Sequence, residues 1–366
     1  GCRSSFSVRL LQGIPVRQPS GTVGGPYRGR FRSDKHAAVL TLQNTQRKDR
    51  RVYDAPYRIH RPSQAVGGQE SPEAAGQETK SGSRYHGRGR EGRRRNRMRD
   101  MRFIISPAKK MNVDRDTMEV GGKPVLLGKA EVLLEWMRGM DEGELKGLWR
   151  CNDKIAALNY ERIRSMDLEK GLTPALLAYE GIQYQYMAPG VFEDGAWVYV
   201  QEHLRILSGF YGILRPLDGV APYRLEMQAK GNPCGEGNLY DFWGDSIYKE
   251  LVSETDCIVN LASKEYSRCV EDWLEEGVEY ITCVFGEEKE EGTAEKDGKK
   301  KGIPVVQKGT QAKMARGEMV RFAAGNNIRD WRRLKDFCGL GYTYREEYSS
   351  EKQLVFVKNK EIRETE

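Results

Sequence analysis

The stretch LRILSGFYGILRPLDGVAPYRLEM, Leu204 to Met227, decides how this chain is read. Trp197 and Val200 lead into Leu204 and Leu207 at helical spacing, which predicts a helix over 194–208. Leu207-Ser208-Gly209-Phe210-Tyr211-Gly212 then has the hydrophobic-small-Gly-hydrophobic-x-Gly layout of a helix-hairpin-helix turn. A new helical start closes at Arg215-Pro216. In such a turn the glycines let the backbone come close to a phosphate. The N–H groups opening the second helix then face the anion where the macrodipole favours it. Arg205 and Arg215 flank the turn with positive charge. Glycine-rich connections also serve plain chain reversal, so the turn alone assigns no function.

Charge is distributed unevenly along the 366 residues. The formal net charge is +7, yet residues 1–100 carry 22 Lys and Arg against 8 Asp and Glu. The remainder holds 38 basic and 45 acidic residues, a net charge of −7. The first hundred residues have no Trp and no apolar periodicity, and Gly, Ser, Gln and Arg dominate. They lack the apolar content to offset the entropy of ordering, so the segment is expected to be disordered. Three origins compete for it. The favoured one is an upstream extension of the reading frame, because Met101-Arg102-Phe103-Ile104-Ile105 reads as an initiator running directly into a buried strand. A transit peptide is second, since residues 1–33 are Arg-rich and without Asp or Glu. A basic nucleic-acid-binding tail around Arg93-Arg94-Arg95-Asn96-Arg97 is third.

Several classes are disfavoured. No apolar run is long enough to span a membrane, and no secretory hydrophobic region opens the chain. The seven cysteines are odd in number and lack CxxC spacing, which argues against a disulfide framework and a structural zinc site and fits a reducing cytoplasm. His203 is the one histidine after residue 100, leaving little room for a His-based metal site or a Ser-His-Asp triad. No cofactor or metal is expected.

Over residues 101–360 the periodicities predict one large domain, followed by a short tail, 361–366. Phe103-Ile104-Ile105, Cys257 to Leu261, Val278 to Phe285 and Ile303 to Gln307 read as strands. Helices are expected over Val132–Met140, from the capping box Asp141/Glu144, over Asp153–Ile163, Asp245–Val252 and Lys313–Ala324. Gly341 to Arg345 and Leu354 to Lys358 form a terminal hairpin, and the charged insert 286–302 reads as a mobile loop. Strands and helices alternate without a regular βαβ rhythm. This predicts an α+β fold with a mixed sheet, surrounding helices and the helix-hairpin-helix-like element.

Polar residues collect where these elements end. Ser106-Pro107-Ala108-Lys109-Lys110 follows the first strand, Asn152-Asp153-Lys154 precedes a helix, and Asn260 to Tyr266 crosses a strand end. Lys313-Met314-Ala315-Arg316-Gly317 lies near a helix start, with Arg321 further along. Strand ends and helix starts are where open sheets place ligands, so convergence on one cleft is expected. Lys109, Lys154, Arg215, Arg224, Lys313, Arg316 and Arg321 would make that cleft cationic and suited to phosphate. Each also has an ordinary structural reading: Asp153, Asp245 and Ser263 as helix caps, Arg224 and Glu226 as a surface pair worth little. There is no GxxxxGK[ST], GxSxG or HExxH, and a carboxylate site from Asp153, Glu226, Asp245 and Glu265 has no spacing to support it. Binding is therefore favoured over catalysis.

Ile105-Ser106-Pro107-Ala108-Lys109, Asn152-Asp153-Lys154-Ile155-Ala156, Leu204 to Met227, Leu239 to Asp245, Asn260-Leu261-Ala262-Ser263 and Ala315-Arg316-Gly317 together resemble the bacterial YaaA peroxide-stress family. The matches run in order over 101–358; residues 1–100 have no counterpart. The resemblance implies a cytoplasmic α+β protein with a positively charged cleft and a helix-hairpin-helix element. It also implies DNA binding and a role in surviving hydrogen peroxide by limiting free iron and oxidative DNA damage. Carried over by motif, Lys109, Lys154, Arg215, Arg224, Lys313, Arg316 and Arg321 line the cleft, and Ser208, Gly209, Tyr211 and Gly212 form the hairpin. Met314 and Lys264 depart from the family pattern, which affects the cleft charge rather than the fold. The leading reading is a DNA-binding stress protein of weak sequence preference. The alternative is an enzyme on a nucleotide or other phosphate-bearing small molecule, with Asp245 or Glu265 as acid/base. Direct iron sequestration ranks last.

Overall fold

The computed structural model describes residues 100–288 and 305–359, which fall within the compact unit His86–Glu366. The readings of residues 1–100 as a disordered segment, of 286–302 as a mobile insert and of 361–366 as a tail lie outside the described residues, apart from Asp100, which is described, and from 286–288, which continue the strand Glu279–Glu288 where a loop is expected.

The strands, in chain order, are β1 (Arg102–Ile105), β2 (Lys110–Met111), β3 (Thr173–Pro174), β4 (Tyr179–Glu180), β5 (Leu204–Ser208), β6 (Gly212–Leu214), β7 (Gly219–Val220), β8 (Cys257–Leu261), β9 (Glu279–Glu288), β10 (Val305–Val306), β11 (Tyr342–Tyr344) and β12 (Gln353–Lys358). Eight of them form one sheet in the order β11-β12-β9-β8-β1-β5-β6, with β10 paired to β9. Its centre, β12-β9-β8-β1-β5, is parallel; β6, β10 and β11 add antiparallel. The expected α+β fold with a mixed sheet is what forms. The sequence explains the parallel centre. Phe-Ile-Ile in β1 and Cys-Ile-Val-Asn-Leu in β8 are unbroken runs buried on both faces, where an alternating pattern would leave one face wet. Phe103 sits between Leu204 of β5 and Val259 of β8.

Helices flank this sheet, mostly where their periodicity places them. Asp141 accepts the Glu144 N–H at 2.9 Å while the Glu144 carboxylate accepts the Asp141 N–H at 2.9 Å, so the predicted capping box opens the helix Glu142–Trp149. The helix Asp153–Ser165 is capped by Asn152, not Asp153, through the Ile155 N–H at 3.0 Å. The helices Ser246–Glu254, Lys264–Glu271 and Gly309–Gly325, and the β11–β12 hairpin, complete the agreement.

Residues 204–214 fold differently from the helical expectation. The helix stops at His203, and Leu204–Ser208 and Gly212–Leu214 are antiparallel strands joined by Gly209-Phe210-Tyr211. The helix-hairpin-helix expectation is therefore corrected to a β-hairpin. Leu204, Ile206, Leu207 and Leu214 are all within 1 % of full burial, and a strand buried on both faces has no period-2 signal to set against the helical spacing of its leucines. Ser208 Oγ accepts the N–H groups of Phe210 (3.2 Å) and Tyr211 (2.8 Å), which folds the turn. A Cβ on Gly209 would meet the Leu225 carbonyl oxygen at 2.5 Å, and the Trp243 indole donates to the Gly209 carbonyl at 3.1 Å. The close approach that this glycine permits is thus to the chain's own 225–227 segment. Phe210 and Tyr211 are fully buried, a contribution of roughly 1.5–3 kcal/mol for a side chain the size of Phe210.

Candidate functional site

From β1 the chain moves to β5 on one side, then crosses to β8 on the other. The crevice beyond the C-terminal ends of β1 and β8 is therefore the switch point of the parallel sheet, the position where such sheets hold ligands. Ser106 leaves β1 and Ser263 leaves β8. Ser106 Oγ accepts the Ser263 N–H at 2.8 Å and bonds the Ser263 hydroxyl at 3.1 Å. Ser263 occupies the N-cap position of Lys264–Glu271, but its hydroxyl serves this link and makes no cap bond.

A cleft of about 380 Å³ opens there. One wall is Glu180, Gly181 and the short helix Ile182–Met187, whose Tyr184 hydroxyl donates to the Ser106 carbonyl at 2.9 Å. A second is Tyr223 to Glu226, and a third is Lys313 and Arg316 on the helix Gly309–Gly325. The two helices touch at Gly317, where a Cβ would collide with the Gln183 carbonyl oxygen. That contact fixes the depth of Arg316, one residue earlier. Behind the wall, Tyr223 bonds Tyr179 at 2.8 Å and Ser208 at 2.6 Å, and this buried hydroxyl chain ties the β-hairpin to the cleft.

The charges at the cleft are paired unequally. Glu226 holds both Lys109 (2.7 Å) and Arg224 (3.0 Å), and Glu180 holds Lys110 (2.6 Å). Among the described residues Lys313 and Arg316 are in no salt bridge, and Arg316 Nε is buried without a hydrogen-bond partner. Burial lowers the proton affinity of the Arg316 guanidinium, yet an arginine stays cationic at any physiological pH. A half-buried cation without a carboxylate is an incomplete ion pair, and an anionic ligand would complete it. Burial also pushes the Glu265 carboxyl above the usual carboxylate range. The Gln228 N–H at 3.3 Å opposes that rise, and the neighbouring Glu226 carboxylate adds to it.

Of the twelve residues singled out in the sequence, the cleft brings together Lys109, Arg224, Lys313 and Arg316. Ser208, Gly209, Tyr211 and Gly212 are buried in the hairpin. Arg205 and Arg215 lie elsewhere and share Glu254: Arg205 Nε bonds it at 2.8 Å and Arg215 at 2.6 Å, with Arg102 at 3.5 Å. Together with Asp218 and Lys123 they border a separate hollow of about 150 Å³. Lys154 is exposed in the first turn of Asp153–Ser165, after the three-residue connection Arg150-Cys151-Asn152 between two helices. Arg321 is exposed outside the cleft lining. Of the four carboxylates, Glu226 and Glu265 line the cleft, whereas Asp153 pairs with Lys146 and Asp245 with Lys249. The sequence reading missed the wall Gln183–Tyr184. Gly181 and a run of only six helical residues were its sole signals.

The fold and site define an α+β protein with a charged crevice at the switch point of a parallel-centred sheet. The chain belongs to the family described as peroxide stress protein YaaA, whose family model matches residues 101–348. It is similar to a UPF0246 protein of Lachnoclostridium phytofermentans, 51% identical over 258 residues that cover 70% of this chain and 96% of the relative. A UPF0246 protein of Desulfitobacterium hafniense is 52% identical, with 70% and 98% covered, and one of Ligilactobacillus salivarius 48%, with 71% and 100% covered. Among the described residues no helix is long and apolar enough to cross a membrane, no group of three or more His, Cys, Asp or Glu is placed to hold a metal ion, and the six cysteines are unbridged.

Proposed function

We propose that this peroxide-stress family protein acts in the cytoplasm by binding DNA at the switch-point cleft, and so helps limit free-iron-driven oxidative damage to DNA. The observation that carries the reading is Arg316, a half-buried cation with no carboxylate partner, with Lys313 one turn earlier on the same helix. Phosphate supplies the missing negative charge, and a guanidinium fork suits its geometry. Lys109 and Lys110 are exposed at the rim, and a neighbouring phosphate would compete with Glu226 and Glu180 for them. The net charge of −7 over residues 101–366 means that binding rests on this local patch and not on the field of the whole surface.

The test is DNA binding by the full chain over a salt series, with Lys313→Ala and Arg215→Ala compared. Lys313→Ala weakens binding and makes the salt dependence shallower by about one phosphate contact, while Arg215→Ala changes neither. Equal loss in both variants, or in neither, counts against the cleft. A second reading, a free phosphate-bearing small molecule in the same cleft, is favoured by the partial burial of Arg316 and by the presence of the Glu265 carboxyl in the same lining. It requires saturable binding of a nucleotide in the absence of DNA.

A further inference from the structure

Asn327 to Arg333, Asn-Ile-Arg-Asp-Trp-Arg-Arg, carries three arginines in five residues. It follows the helix Gly309–Gly325, and Asn327 turns the chain at a φ of +46°, a left-handed conformation that asparagine tolerates. Three bonds then hold the backbone. The Ile328 N–H donates to the Ala323 carbonyl at 3.0 Å, the Tyr199 hydroxyl donates to the Ile328 carbonyl, and Asp330 Oδ1 accepts the Arg332 N–H at 3.0 Å. Arg329, Arg332 and Arg333 are all exposed, and with Trp331 they line a hollow of about 520 Å³. Cys257 and Glu279, also in its lining, are the first residues of β8 and β9 and pair with each other. The hollow therefore sits at the N-terminal ends of these parallel strands, whereas the cleft opens beyond the C-terminal end of β8.

Carboxylates approach the three guanidinium groups without closing on them. Glu202 stands 3.4 Å from Arg329, Glu279 3.8 Å from Arg332 and Asp336 3.7 Å from Arg333, all longer than the roughly 2.7–3.2 Å of an ordinary N–H···O bond. Asp330, 3.1 Å from Arg332, is the exception. Exposed pairs of this kind are worth little, so an incoming anion displaces them at small cost. Trp331 adds an independent observation. It is 8 % exposed, and its Nε1–H is buried without an acceptor among the described residues. A buried donor of that kind is an unmet hydrogen bond, which a bound oxygen atom can meet. The Arg332 guanidinium carbon lies 4.6 Å from the centre of the same ring, within cation–π reach.

We infer that this hollow binds a short phosphate chain, as in pyrophosphate or a nucleoside diphosphate, at a site separate from the cleft. A guanidinium fork matches two oxygens of one phosphate, and three forks around one hollow need more than one phosphate group to occupy them. An oxygen of the chain gives the Trp331 indole its acceptor. The volume falls within the roughly 300–1,000 Å³ of small-ligand sites. This site stands whether or not the cleft binds DNA.

The experiment is calorimetric titration of the full chain with pyrophosphate, orthophosphate and sulfate at equal ionic strength. Pyrophosphate is expected to bind about tenfold more tightly than either single anion. Arg333→Ala, on an exposed side chain whose one ion pair is worth little, is expected to weaken pyrophosphate about tenfold, and Lys313→Ala in the cleft to leave it unchanged. Pyrophosphate is expected to change the tryptophan emission, and Trp331→Phe to abolish that change. Equal binding of pyrophosphate and sulfate, or no binding, overturns the inference. Loss in Lys313→Ala but not in Arg333→Ala also overturns it, because the anion then sits in the cleft. Displacement of pyrophosphate by duplex DNA in the Lys313→Ala variant overturns it in favour of a nucleic-acid surface.

Discussion

Ser106 and Ser263, 157 positions apart, share a hydroxyl–hydroxyl contact of 3.1 Å and a backbone-to-hydroxyl bond of 2.8 Å that join the ends of two neighbouring parallel strands. Three parts of the cleft lining connect to this junction. Lys109 follows one serine, Glu265 follows the other, and Tyr184 donates to the Ser106 carbonyl. Ser106→Ala removes the acceptor of the Ser263 N–H and should cost about 1–2 kcal/mol of stability. Chemical denaturation measures that loss. Ligand binding should fall further than stability alone explains, because both arms of the site lose a shared anchor.

Gly317→Ala tests the wall. The added methyl collides with the Gln183 carbonyl, so Gly309–Gly325 must move away from Ile182–Met187. Overpacking of this kind costs about 1–3 kcal/mol. It also displaces Arg316, so binding and thermal midpoint should drop together. A glycine without such a neighbour, Gly325, provides the control and should tolerate alanine.

The arginines away from the cleft have a structural task. Glu254 neutralises Arg205, which is 5 % exposed, and also binds Arg215 and Arg102. The carboxylate is drawn below its usual range: burial pushes it up, but Arg205 and Arg215 outweigh that. Glu254→Gln strands a buried guanidinium and should destabilise by about 3 kcal/mol. DNA affinity of the remaining folded protein should be unchanged. A parallel loss of affinity would place Arg205 and Arg215 back in the binding surface.

Asp218 gives a pH signature. Burial pushes its carboxyl up to about 6, and the Arg215 N–H at 2.8 Å only partly offsets that. The folded state thus holds this proton more tightly than the unfolded one. Stability from this group is present below pH about 4 and is lost as pH rises through about 6. The change is on the order of 2–3 kcal/mol. Asp218→Asn keeps an acceptor for the Arg215 N–H and should flatten the unfolding free energy between pH 4 and 6. An unchanged pH profile in that variant assigns the slope elsewhere.

The sequence was most legible where one signal acted alone. The Asp141/Glu144 box and the apolar β1 and β8 runs formed as read. The cleft cations Lys109, Arg224, Lys313 and Arg316 were found because strand ends and helix faces near a sheet switch point attract ligands. Leu204 to Gly212 misled because burial on both faces removes strand alternation, and its glycines fit a phosphate turn as well as a turn against the chain's own backbone. Arg205 and Arg215 misled for a different reason. Their partner, Glu254, lies 39 to 49 residues away and no spacing rule connects them.

Backbone amide hydrogen exchange of the full chain with and without DNA tests binding at the cleft most directly. New protection is expected at 106–110, 181–184, 263–266 and 309–317, and none at 205–218. Protection confined to 205–218, or to residues 1–99, would contradict it.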